Sequence, residues 1–130
     1  MQKFKIKLST TISLIIIYIS CLILVAIRWI NMFNENVLVV NEVINSHITN
    51  FTISVLLCIL MGYLLLVFGK KYTSNIIVGI FLILANFIYE AFLPMLNTTD
   101  IIDAVYGLIG VLFSLVYLYY ISKNGFEIDK

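Results

Sequence analysis

Four long apolar runs, near Leu8–Ile27, Ile48–Phe68, Ile76–Leu96 and Ile101–Ile121, alternate with short polar stretches along the chain. A helix rises ~1.5 Å per residue, so about 20 residues cross the ~30 Å hydrocarbon core, and each run has that length. Ile and Val favour strands in water, but in lipid a helix satisfies its own backbone and an open sheet cannot. The pattern predicts an all-α polytopic membrane protein with four transmembrane helices in one bundle. The spans occupy most of residues 1–130, which therefore read as a single domain with two short tails, two tight connections and a longer loop over Arg28–His47.

Composition agrees with this reading. At 62% hydrophobic and 12% charged, with mean hydropathy +1.09, the chain has too few charged groups to clothe a water-facing surface. The net charge of +1 hides a segregation. Lys3, Lys5 and Lys7 precede the first span, Lys70 and Lys71 join the second to the third, and Lys123 and Lys130 follow the fourth; only Arg28 lies at the opposite end. Basic residues mark the cytoplasmic side, so a plasma-membrane protein with both termini cytoplasmic is expected, with the Arg28–His47 loop and the Asn97–Asp100 turn outside. Trp29 then anchors the outer interface, and Tyr72, Tyr117, Tyr119 and Tyr120 mark the inner one. The partner implied is the lipid bilayer; nothing points to nucleic acid.

Lys3 to Lys7 followed by an apolar stretch resembles a signal peptide, but the run continues to Ile27 without a small-x-small cleavage site, so an uncleaved first span is expected. Cys21 and Cys58 fall inside spans and read as buried thiols, with no metal-ligand spacing. Asn50-Phe51-Thr52 and Asn97-Thr98-Thr99 match the glycosylation acceptor pattern, but in so Asn-rich a chain they read as chance, and the Ile, Asn, Lys and Tyr bias is of a bacterial kind. In the outer loop, Asn31, Asn34, Asn36, Asn41 and Asn45 surround the apolar patch Val37–Val40, which suits an interfacial dip or a cap on the bundle.

The helical faces carry more. Asp100, Asp103, Gly107, Gly110 and Ser114 recur at steps of three and four, which places them in one stripe of the fourth span. Small residues there allow close helix approach, which matters where lipid removes the hydrophobic drive for association. Gly79, Asn86, Glu90 and Asn97 form a comparable line on the third span, and His47, Phe51, Ser54 and Cys58 on the second. Turned inward, these stripes bring Arg28, His47, Glu90, Asp100 and Asp103 toward one outer pocket.

Each member has a structural reading beside the functional one. Arg28 can snorkel to lipid phosphates, His47 can cap or be solvated, and Asp100 can serve as a helix N-cap. Asp103 shares the packing stripe and is harder to dismiss. Glu90 lies within the third span, where a charge costs ~3 kcal/mol at the helix centre and less near the interface, so it calls for a partner or a protonated role. Hydrogen bonding to Arg28 or Asn86 is the structural alternative. Pro94, four residues on, frees the Glu90 carbonyl and predicts a kink that opens space there.

The run Asn86-Phe87-Ile88-Tyr89-Glu90, then Leu93-Pro94, Asp100-Ile101-Ile102-Asp103 and Gly110, resembles the second half of the VanZ-like family, named for a teicoplanin-resistance membrane protein. His47 followed by Phe51 is similar to the family's His and aromatic at the start of span two. The resemblance covers about residues 43–121. Leu93 stands where the family often has Gln, Gly107 where it has Asn, and Ser114 where a further Gly is common. The resemblance implies a bacterial cell-envelope protein associated with glycopeptide resistance, and supplies no reaction.

From the residues themselves, an outer pocket with Glu90, Asp100 and Asp103 suits a divalent cation bridging a lipid-linked phosphate, with Arg28 on the phosphate. Without a metal the carboxylates repel anionic lipid and favour a cationic or hydrogen-bonding ligand. Two other classes stay open: an interaction or immunity-type subunit docking an envelope protein through its small-residue face, and a small transporter component with a path along Asn86, Glu90 and Asp103. An enzyme is the least supported, since no nucleophile stands beside a base and no phosphate-cradling loop is present in the sequence.

Overall fold

The apolar runs are helical, and their polar flanks decide where two of the helices start. In the computed structural model, which describes residues 4–33, 41–92 and 100–128, they form α1 (Leu8–Phe33), α2 (Glu42–Val67), α3 (Tyr72–Phe92) and α4 (Ile101–Asn124). The Asn41 side chain accepts from the Val43 amide at 2.9 Å and opens α2, and Asp100 accepts from the Ile102 amide at 2.9 Å and opens α4. Each cap supplies an acceptor to an amide that a helix leaves unpaired in its first turn. At the far end of α2 the Gly69 amide bonds Leu66 O and the Lys70 amide bonds Leu65 O, both at 2.9 Å. Such paired closure needs a left-handed residue after the helix, and Gly69 adopts it at φ 74°.

All four helices are long and apolar enough to cross a membrane, and they pack against one another as a bundle. The protein is a multi-pass membrane protein. Arg28–Phe33 and Glu42–His47, expected as loop, are helical instead: α1 runs past Ile27, and the Asn41 cap starts α2 well before Ile48. A cross-helix bond from Asn31 Nδ2 to Asn45 Oδ1, 3.2 Å, ties these polar extensions together. The expectations for Lys3, Asn34, Asn36, Val37–Val40, Leu93, the Pro94 kink, Asn97 and Lys130 lie outside the described residues.

Helices α2 and α4 form the central pair, α3 packs on both, and α1 leans mainly on α2. Glycine makes the close approach possible. A Cβ on Gly110 would sit 2.5 Å from the Phe51 carbonyl oxygen, and one on Gly62 would strike Leu118. Around this seam Cys58, Leu66, Val111, Leu118 and Ile121 form one buried cluster, and Cys21, Val55 and Ile59 a second. Both cysteines are buried free thiols. Helix α1 fully buries only Thr10 and Cys21; Leu14, Ile17 and Tyr18 pack partly buried against the core, and much of its remaining apolar surface is exposed.

The tails hold an element the apolar pattern does not predict. Strands β1 (Phe4–Ile6) and β2 (Phe126–Ile128) pair antiparallel, with Lys5 opposite Glu127. Opposite charges across an antiparallel pair favour this register. Lys7 N and Thr10 Oγ1 both bond Gly125 O, at 3.0 and 3.1 Å, which clamps the start of α1 to the end of α4.

Candidate polar site at the acidic end of the bundle

Asp100 and Asp103 are three residues apart in the first turn of α4, so their side chains share one face. That face meets α2, the partner α4 packs most closely, and His47 stands opposite on the second turn of α2. His47 Nδ1 lies 2.7 Å from Asp103 Oδ1 and 3.8 Å from Asp100 Oδ2. A carboxylate only accepts, so in this arrangement Nδ1–H donates to Asp103. The two oxygens of Asp100 divide their work: Oδ1 caps the Ile102 amide while Oδ2 faces the imidazole. His47 is buried, with its ring 5.4 Å from that of Tyr106, whereas Asp100 is partly open.

One ligand atom from each of His47, Asp100 and Asp103 lies within 4.8 Å of the other two. Two ligands on a tetrahedral ion with bonds of about 2.1 Å stand about 3.4 Å apart, so small side-chain rotations bring this trio into a metal's first shell. One imidazole nitrogen with two carboxylates suits a borderline ion of the Zn²⁺ or Mn²⁺ kind better than Mg²⁺, which prefers oxygen alone.

Glu90 closes the site from the third side. It is buried, and its Oε2 accepts from the Asp100 amide at 3.5 Å, a long bond to the residue that opens α4. Its carboxylate thus meets the backbone of Asp100 and does not join the three-residue ligand group. One turn deeper Asn86 Nδ2 donates to Ser54 Oγ at 3.1 Å, and both pack on Gly107, where a Cβ would lie 2.5 Å from Asn86 Nδ2. Ser114 Oγ, deeper still, bonds Gly110 O at 2.8 Å. A polar seam therefore runs from the acidic end into the bundle along α4, with Gly107, Gly110 and Ser114 buried inside it.

Arg28 stands apart. It donates to Thr49 Oγ1 on α2, and no carboxylate pairs with it among the described residues. Thr49 and His47 are two residues apart on one helix, so they point to opposite sides and α2 itself separates the guanidinium from the acids. Thr49, Ser54 and Tyr106 are contacts that the sequence did not single out as site residues; only the seven-residue step from His47 to Ser54 hinted at one of them. A scan against family models and searches of curated proteins and of solved structures find no match to this chain.

Proposed function

We propose that this chain is a bacterial plasma-membrane protein of the VanZ-like kind, whose extracytoplasmic polar site binds a phosphate-bearing envelope lipid through a divalent cation. The observation that carries this reading is the convergence of His47, Asp100 and Asp103 at the end of the bundle opposite the lysines. Lys5, Lys7, Lys70, Lys71 and Lys123 lie at the other end, and β1 pairs with β2 there, which supports a common cytoplasmic side for both tails. In this reading the cation neutralises the two aspartates and bridges to the lipid phosphate, while Glu90 steadies the α4 terminus. Direct phosphate binding by Arg28 has less support, since Arg28 faces Thr49 across α2 from the acids.

His47 bonds the Asp103 carboxylate, faces that of Asp100 and, among the described residues, bonds no hydroxyl or thiol, which favours binding over covalent catalysis. An interaction subunit docking through Gly107, Gly110 and Ser114 is also less supported, because those residues already face α2 and α3. The test is calorimetry of the purified full chain in nanodiscs with Zn²⁺, Mn²⁺ and Mg²⁺, each with and without a polyprenyl phosphate. Saturable metal binding, and lipid-phosphate binding that depends on it, are expected. No heat under any condition rejects the reading. In cells, Asp103→Asn is expected to abolish any change in glycopeptide susceptibility that the wild-type chain confers.

A further inference from the structure

At the opposite end of the bundle, between the α2–α3 turn and the end of α4, lies a cavity of about 490 Å³. Three lysines line it: Lys70 and Lys71 from the turn and Lys123 from the last turn of α4. The glycine closure of α2 puts the first two there, because the reversal at Gly69 carries the chain from Leu66 directly to the start of α3. The third is held by Tyr119, over whose ring the Lys123 ammonium sits 5.8 Å from the centroid, within cation–π range. Tyr119 in turn meets Tyr72 edge-on at 5.2 Å, and the Tyr72 hydroxyl donates to Leu115 O at 3.0 Å, so the aromatic wall is fixed from behind.

The lining thus combines three cations with apolar and aromatic surface from Leu66, Tyr72, Tyr119 and Phe126, and Phe126 packs on the buried cluster that holds Leu66. No carboxylate lines it among the described residues; the nearby Glu127 stands opposite Lys5 in the ribbon. The first turn of α3 carries no acidic residue either, so the positive end of its dipole adds to the field of the lysines. Phe68 and Tyr120, both well exposed, adjoin the lining residues Gly69 and Tyr119 in sequence, and such exposed aromatic side chains suit a lipid headgroup interface.

We propose that this cavity is a binding site for the phosphate of an anionic phospholipid headgroup in the leaflet on the lysine-rich side. The lysine ammonium groups take the phosphate, and the tyrosine wall with Leu66 and Phe126 takes the glycerol and the first acyl carbons. A pocket between membrane helices that pairs lysines with apolar surface matches that ligand in charge and in amphipathic character. The site lies at the end of the bundle away from His47 and the aspartates and is independent of any chemistry there.

The test is native mass spectrometry of the full chain released from vesicles of equimolar phosphatidylglycerol and phosphatidylcholine, with inorganic phosphate as a separate arm. Wild type is expected to retain phosphatidylglycerol preferentially. Substituting Lys70→Gln, Lys71→Gln and Lys123→Gln together is expected to remove the preference, at about fivefold per lysine. Lys5→Gln with Lys7→Gln, at the same membrane face but outside the cavity, is expected to keep it. Circular dichroism checks that every variant remains helical. Equal retention of the two lipids by wild type overturns the proposal, as does an equal loss in the Lys5/Lys7 control, which would mean a diffuse surface charge. Displacement of the lipid by millimolar inorganic phosphate would assign the cavity to free phosphate and overturn the lipid assignment.

Discussion

The imidazole of His47 and the carboxylate of Asp103, 56 residues apart in sequence, meet at 2.7 Å across the seam between α2 and α4. Neither helix needs the other to cross a membrane, so this contact reports how they are rotated. Because His47 is buried, removing its acceptor leaves a polar group without compensation. Asp103→Asn, whose amide still accepts through one oxygen, is expected to reduce thermal stability less than Asp103→Ala. The alanine variant should lose ~1–3 kcal/mol in reversible unfolding in micelles. Equal melting of the two would show that the bond contributes nothing.

A metal takes a neutral imidazole and ionised carboxylates, so protons compete with it and affinity for Zn²⁺ is expected to fall as the medium is made acidic. Calorimetry at acidic pH in two buffers of different ionisation enthalpy should show net proton release on binding. Release of none would place the ion elsewhere.

Glu90 and Asp103 are separable. Glu90→Gln keeps an oxygen acceptor for the Asp100 amide and is expected to leave metal affinity within about threefold, whereas Asp103→Ala removes a ligand and should weaken it ~10–100-fold or more. A collapse of affinity in Glu90→Gln alone would move Glu90 into the coordination shell.

Two glycines on the central seam should respond differently to one added methyl. At Gly110 the new Cβ meets the Phe51 carbonyl oxygen, part of a helix backbone that cannot yield without shifting α2. At Gly62 it meets the end of the flexible Leu118 side chain. Gly110→Ala is therefore expected to destabilise by ~1–3 kcal/mol and Gly62→Ala by less, compared by thermal unfolding. The reverse order would contradict the packing described.

Much of the fold was legible because lipid imposes simple rules. Length and apolarity are enough to place four spans, since a helix is the one way each segment can satisfy its own backbone in hydrocarbon. The Asp100 cap was legible too, from a carboxylate just ahead of an apolar run. The tail ribbon was written more faintly: Phe4-Lys5-Ile6-Lys7 and Phe126-Glu127-Ile128-Asp129 alternate with period two, but over too few residues to compete with the long helical signals.

By itself, then, the sequence determined that the chain crosses a membrane four times, that its lysines gather at one end, and that Asp100, Asp103, Gly107, Gly110 and Ser114 share one face of α4. Periodicity along a helix fixes such things without reference to any neighbour. Only the tertiary structure decided which faces meet. It put His47 against the aspartates, turned Glu90 to the backbone of Asp100, and sent Arg28 to Thr49 on the other side of α2. The physical reason is that apolar side chains are nearly as well solvated by lipid as by protein. Rotation of one span about another is therefore set by close packing at glycine and by a few hydrogen bonds, and these exist only once the partner helix is in place.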